Sequence, residues 1–239
     1  MSWHELAFVA APYAAVLLVV VGTTYRVRHR KFSVSSLSSQ LLERDKLYWG
    51  SIPFHWGILI ILLAHLVALI IPSSFTAWNS APVRLYALEM TGFALATWTL
   101  GGLLILAWRR ISNKRVQVVT TPMDLVVLGL IVAQVVTGML IALFYRFGSF
   151  WGPEVFAPYI RSLLALDPRP ELLADLAIIV RLHVFLFFVF LGVFPFTRLV
   201  HIITLPLQYL SRPWQKVIAD REAPHPSHVH SNSRLDEPR

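Results

Sequence analysis

The segment IPFHWGILIILLAHLVALII, residues 52–71, decides the fold. It contains no charged residue, and its length matches the roughly 20 helical residues that cross the hydrocarbon core of a bilayer. It also carries two histidines, His55 and His65. Imidazole is costly to bury in lipid, so a histidine inside a membrane helix marks a candidate functional site. The segment therefore predicts both a membrane span and a site within that span.

The composition of the whole chain agrees with a membrane protein. Of its 239 residues, 56% are hydrophobic and 14% are charged, whereas average globular chains carry about 25% charged residues. We predict an all-α integral membrane bundle of five transmembrane helices over residues 1–219, followed by a polar tail at 220–239. The five apolar segments lie near residues 8–25, 52–71, 88–108, 125–145 and 176–197.

The basic residues indicate the orientation of the bundle. Segments 26–46, 109–115 and 198–239 hold 16 of the 21 lysines and arginines. By the positive-inside rule these segments face the cytoplasm, which places the N-terminus outside and the C-terminus in the cytoplasm. The net charge of +8 is thus explained by topology, and no nucleic-acid partner is expected. The proline-rich outer connection 146–175 is predicted to form short helices and turns.

The histidines form two candidate pairs. With a rise of about 1.5 Å per residue, His65 and His183 lie about 9–10 Å below the outer ends of antiparallel segments, so they form a predicted outer pair. His55 and His201 would form an inner pair, although the spacings differ: about 15 Å from His55 to His65 and about 27 Å from His183 to His201. We expect the fifth helix to continue inward past a kink at Pro195.

Two histidine pairs on antiparallel helices predict two haem groups, each with two axial imidazoles. The chain has no cysteine, which excludes thiolate-bound haem and cysteine-ligated iron–sulfur clusters. Arg181 and Arg198 are candidates to pair with haem propionates, and Gly57 is a candidate for close approach of the macrocycle. The same residues also fit simpler structural roles: a buried histidine can bond a neighbouring helix, arginines can snorkel, and glycines can simply permit tight helix packing.

Several motifs of the chain resemble the gamma subunit of membrane-bound respiratory nitrate reductase, a di-haem cytochrome b. The resemblance covers nearly the whole chain apart from its two tails, and the histidine spacings of ten and eighteen residues are those of this family. The matching pieces are SSQLLERD (38–45), IPFHWGIL (52–59), the segment around His65, RVQVVTTPMD (115–124), VRLHVFLF (180–187), FPFTRLVHIITLP (194–206) and QYLSRPWQKV (208–217).

The resemblance implies a division of roles among the histidines. His55 and His201 would ligate an inner haem b, and His65 and His183 an outer one. Quinol would be oxidised near the outer haem, and electrons would pass inward to a cytoplasmic iron–sulfur subunit and then to a molybdenum catalytic subunit. This chain itself would contain no nitrate-reducing site. The resemblance also implies the inner membrane of a prokaryotic cell.

The quinol site is the least constrained part of the prediction. The family's site includes a basic residue, commonly lysine, before the third span, and here the basic candidate is Arg84. Arg84 and His65 are therefore the candidate quinol residues, although Arg84 equally fits an ordinary surface residue. Glu89 is a candidate acceptor of a quinol proton, and Asp124 is expected to cap the fourth helix.

Two further functions are compatible with the sequence. The first is a homologous cytochrome b that serves a sulfite- or heterodisulfide-reductase-type complex. The second is a transporter that uses membrane histidines for a metal ion or proton. A transporter of this kind needs acidic or methionine side chains along a polar pathway, and the second and fifth segments offer almost none.

Overall fold

The computed structural model of the chain describes residues 2–29, 45–145 and 148–200. These residues form helices and connections without a strand, and five of the helices are long and apolar enough to cross a membrane. The predicted fold is thereby confirmed. The first to fifth spanning helices are Trp3–His29, Asp45–Ile70, Pro82–Ser112, Pro122–Phe144 and Ile178–Val193. Many large apolar side chains are exposed in the isolated chain, above all on the first and second helices, as lipid-facing residues are.

The spanning helices contact one another in the order first, fifth, fourth, third, second. The second and third helices form the most extensive contact, and the fifth helix lies between the first and the fourth. Within the described ranges, the second and fifth helices share no extensive contact. The two helices that carry the predicted ligands therefore stand on separate parts of the bundle.

Glycines hold the second and third helices close together. A Cβ on Gly57 would lie 2.0 Å from Thr99 Oγ1, and a Cβ on Gly102 would lie 2.6 Å from the Gly50 carbonyl oxygen. In contrast, a Cβ on Gly101 would meet nothing within 4 Å. Small residues at such positions let helix backbones approach in a membrane, so tight packing explains Gly102 but not Gly101.

Short helices cover one end of the bundle, which we call the outer end. They are Pro72–Asn79, Gly148–Trp151 and Ala157–Leu164, of which the last two are joined by a π-helical turn, Gly152–Phe156. The prediction of short helices in the proline-rich connection is thus confirmed. The fully buried Tyr159 donates a hydrogen bond of 2.7 Å to the Phe8 carbonyl and so ties this layer to the first spanning helix. Burial raises the pKa of the Tyr159 hydroxyl.

The opposite end of the bundle, which we call the inner end, is joined by charged side chains. Thr121 caps the fourth spanning helix, and Asp124 completes a capping box by accepting from the Thr121 backbone N–H. The same carboxylate pairs with Arg110 at 3.2 Å and with Arg198 at 3.4 Å. Asp124 therefore both caps its own helix, as predicted, and links it to residues that follow the fifth helix and end the third.

The fifth spanning helix does not continue through Pro195 as expected. The α-helix ends at Val193, a 3₁₀ turn covers Phe194–Phe196, and Thr197 is extended with φ −101° and ψ 171°. Proline lacks an N–H and clashes with the preceding turn, which ends an α-helix. Arg26 donates to the Pro195 and Thr197 carbonyls at 2.7 and 2.6 Å, so these two carbonyls at the end of the helix have a hydrogen-bond partner. The predicted ligand at position 201 and the tail from residue 220 lie outside the described residues.

Candidate functional site

His183 is bound by polar side chains of the fourth spanning helix. Its Nδ1 lies 2.8 Å from Thr137 Oγ1, and its Nε2 lies 3.3 Å from the Gln134 side-chain nitrogen. The same Gln134 nitrogen donates to the His183 carbonyl oxygen at 3.2 Å. The imidazole thus sits in a polar pocket between two helices that are otherwise apolar.

The hydrogen bonds favour one tautomer of His183. The Thr137 hydroxyl has one proton, and the carbonyls of Ala133 at 2.8 Å and Gln134 at 3.0 Å are in range to accept it. Thr137 Oγ1 can then accept from a protonated His183 Nδ1 at 2.8 Å. A Gln134 amide donor beside Nε2 agrees, because it requires a lone pair there. The nitrogen with the lone pair, Nε2, is the one that can bind a metal.

His55 and His65 carry their proton on the same ring nitrogen, Nδ1. The Nδ1–H of His55 donates to the Ser51 carbonyl at 2.7 Å, and that of His65 donates to the Ile61 carbonyl at 2.8 Å. Each acceptor lies four residues earlier on the same helix. Both imidazoles are exposed in the isolated chain, and no described residue hydrogen-bonds to either Nε2. The Nε2 atoms of His55 and His65 therefore keep their lone pairs, and both lie within the second spanning helix.

His65 and His183, the two histidines of the predicted outer pair, lie on the second and fifth spanning helices. The partner predicted for His55 lies beyond residue 200, so the inner pair is not described. In the described ranges no three His, Asp or Glu side chains converge. Axial ligation of a haem requires only two side chains.

The two arginines proposed for propionates have different surroundings. The buried Nε of Arg181 has no hydrogen-bond partner among the described residues. Arg198, in contrast, pairs with Asp124 and donates to the Val119 carbonyl at 3.1 Å. Arg181 is therefore the one with an unsatisfied buried donor, whereas Arg198 lies at the inner end and joins helices there.

Arg84, a candidate quinol residue, and Glu89, the candidate proton acceptor, have different surroundings. Arg84 is exposed; it donates to the carbonyls of Trp78 at 2.8 Å and Ala77 at 3.4 Å and stacks 5.1 Å from the Trp78 ring. It thereby holds the C-terminal end of the short outer helix. Glu89 is half-buried and accepts a hydrogen bond of 3.1 Å from Ser149. Within the described spanning helices, Glu89 is the only carboxylate beyond a first turn.

Comparison with known proteins assigns the chain to a family. Residues 4–220 match the nitrate reductase gamma subunit family. The chain belongs to this family. The identification made from the sequence motifs is thereby confirmed.

Relatives of this family span most of the chain. It is 31% identical over 207 residues to the nitrate reductase gamma chain of Bacillus subtilis (strain 168). This alignment covers 85% of the present chain and 92% of the Bacillus protein. It is also 31% identical over 212 residues to the respiratory nitrate reductase 1 gamma chain of Escherichia coli (strain K12), covering 87% of this chain and 94% of that one. The same identity over 220 residues relates it to the nitrate reductase-like protein NarX of Mycobacterium tuberculosis, of which it covers 33%.

Sequence reasoning missed the residues that surround His183 in this gamma subunit. Gln134 and Thr137 were not among the predicted residues, and neither was Gly138, where a Cβ would lie 3.2 Å from His183 Cε1. The available signal was the run AQVVTG (133–138), which places two polar residues and a glycine in an otherwise apolar span. Gly57, which was predicted, lies against Thr99; its contact with a macrocycle stays a prediction.

Proposed function

We propose that this gamma subunit is a membrane cytochrome b subunit that oxidises quinol near the outer end and passes electrons inward to a cytoplasmic nitrate reductase. The observation that carries the proposal is the common state of three imidazoles. In His55 and His65 the Nδ1–H donates to a carbonyl, which leaves Nε2 with the lone pair and without a partner among the described residues. His183 fits the same tautomer, with the Gln134 amide beside its Nε2. A bare imidazole nitrogen inside a membrane, such as those of His55 and His65, is costly unless a ligand covers it.

The described residues fit an outer haem b, and the sequence supplies His201 as a second ligand for an inner one. Each haem, when bound, would supply a one-electron carrier held by two imidazoles. His65 and His183 would hold the outer haem, and His55 and His201 the inner one. The unsatisfied Nε of Arg181, two residues before an outer ligand, supports a role for this guanidinium in binding a propionate. The separation of the second and fifth helices is consistent with a macrocycle between them.

The remaining side chains have simpler tasks in this proposal. His65 and Arg84 stay the predicted quinol residues, and Glu89 would receive a proton from a quinol hydroxyl. At the inner end, basic segments would face the cytoplasm and dock an iron–sulfur subunit that feeds a molybdenum catalytic subunit. The protein would lie in the inner membrane of a prokaryotic cell, with its N-terminus outside.

A spectrum of the purified subunit tests the proposal. We expect dithionite to produce the α-band of a b-type haem, and a pyridine haemochrome assay to give about two haems per chain. A quinol should reduce the same haems in membranes that contain the whole complex. A colourless protein would overturn the proposal and favour the transporter. A haem protein that co-purifies with a different reductase would favour the homologous cytochrome b instead.

A further inference from the structure

We infer that Thr137 is a positioning residue that fixes the ring orientation and tautomer of His183, the proposed outer haem ligand, while Gln134 holds the His183 backbone. The inference rests on the proposed function. It concerns residues 134–138 of the fourth spanning helix, to which neither the sequence motifs nor the proposed ligand set assigns a role.

His183 differs from His55 and His65 in how its imidazole is held. His55 and His65 donate to carbonyls of their own helix, four residues back. His183 Nδ1 instead donates to a side chain of another helix, Thr137 Oγ1 at 2.8 Å. Its ring orientation therefore depends on the packing of the fourth helix against the fifth, whereas the other two depend on local helix geometry.

The fourth helix presents a matched surface to this ring. Thr137 and Gly138 follow Gln134 by three and four residues, a spacing that places each of them on the same helix face as Gln134. Gln134 donates to the His183 carbonyl at 3.2 Å, so it positions the backbone of this residue. The missing Cβ of Gly138 leaves room for the imidazole, since a methyl there would lie 3.2 Å from Cε1.

The hydrogen bond at Nδ1 has an electronic consequence. An acceptor on the far nitrogen of a metal-bound imidazole raises the basicity of the ligand and fixes the ring plane. Greater basicity stabilises the ferric state and lowers the haem potential. Removal of the Thr137 hydroxyl should therefore raise the midpoint potential of the outer haem and change its low-spin EPR signal, while the inner haem stays unchanged.

Three variants of the complete complex test the inference. Thr137→Val keeps the side-chain shape and removes the acceptor, and Thr137→Ser restores it. Thr97→Val is the matched control, because Thr97 also bonds the carbonyl four residues back, Phe93 at 2.9 Å, but is exposed on the third helix. The measurements are haem content, the midpoint potential of each haem and the EPR signal of the component that His65→Ala lacks.

We expect a positive shift or loss of the outer haem in Thr137→Val alone, with Thr137→Ser and Thr97→Val like the parent protein. An unchanged potential and EPR signal in Thr137→Val would overturn the inference. An equal shift in Thr97→Val would also overturn it, because the effect would then come from the helix and not from His183. If the parent protein binds no haem, the proposed function itself fails, and this result is distinguishable from either of the others.

Discussion

The hydroxyl of Ser149 donates a hydrogen bond of 3.1 Å to the carboxylate of Glu89. This bond joins the helices of the outer end to the third spanning helix, about 10 Å from its first residue. Since Gly57 faces Thr99 across an antiparallel contact, Glu89 lies near the level of residue 67, close in depth to His65. Because a carboxylate is costly to bury in a membrane, its presence at this depth marks Glu89 as a candidate functional residue.

Replacing this carboxylate should slow quinol oxidation. Gln at position 89 keeps the shape and can still bond Ser149, but it cannot accept a proton. Loss of a positioned general base typically costs about a hundredfold or more in rate, so we expect a fall of that order in kcat for quinol in Glu89→Gln. The measurement is the rate at which a quinol reduces the haems in membranes that contain the complex.

The control for this variant is Glu154→Gln, which changes an exposed carboxylate of the same outer layer. It should leave kcat unchanged, and dithionite should reduce both haems fully in both variants. A Glu89→Gln protein that oxidises quinol at the parent rate would show that another group receives the proton.

The outer histidines should be separable from the inner ones. We expect His65→Ala or His183→Ala to lose one of two haems and to stop quinol oxidation, because each removes an axial ligand of the same centre. The pyridine haemochrome assay should give about one haem per chain in either variant. If either variant kept two haems, or oxidised quinol at the full rate, the pairing of His65 with His183 would be wrong.

Two adjacent glycines should respond differently to the same methyl group. In Gly102→Ala the new Cβ would lie 2.6 Å from the Gly50 carbonyl and 2.8 Å from the Phe54 nitrogen, so the helices must separate. Overpacking of this kind costs about 1–3 kcal/mol. Gly101→Ala meets nothing within 4 Å and should be neutral or slightly stabilising. Thermal unfolding in detergent measures both, and equal midpoints would contradict the close contact.

Asp124 should contribute to stability in two separable ways. Asp124→Ala loses the capping bond to Thr121 and both arginine pairs, and hydrogen bonds to charged groups are worth about 1.5–3 kcal/mol. Asp124→Asn keeps an oxygen for the cap but loses the charge, so its unfolding midpoint should lie between those of Asp124→Ala and the parent. Identical losses in the two variants would mean that the cap contributes nothing.

The sequence predicted what depends on composition and spacing along one chain segment. The spans follow from uncharged apolar runs, and the similar depths of His65 and His183 are what make their pairing a prediction. Pro195 was recognised as a disturbance, but its effect was underestimated. The extended Thr197 depends on Arg26, which satisfies two carbonyls from another helix, and such a contact is not visible in local sequence.

The support around His183 could not be derived in the same way. Whether Gln134 and Thr137 face the fifth helix, the lipid or the third helix depends on the rotation of the fourth helix, which an almost uniformly apolar sequence leaves undetermined. The same limit applies to the adjacent glycines 101 and 102, of which only one faces the second helix. Arg84 was recognised as a basic candidate, but its bonds to Ala77 and Trp78 arise from the fold of the outer connection.

The interlocked second and third helices set a distance as well as a contact. Because Gly102 packs on Gly50 and Phe54, and Gly57 packs on Thr99, the second helix is held against the third over residues 50–57, the stretch that carries His55. His65 lies about 15 Å further along the same helix. Electron tunnelling weakens steeply with distance. Under the proposed function, the glycine contacts would therefore fix one end of the distance between the two redox centres.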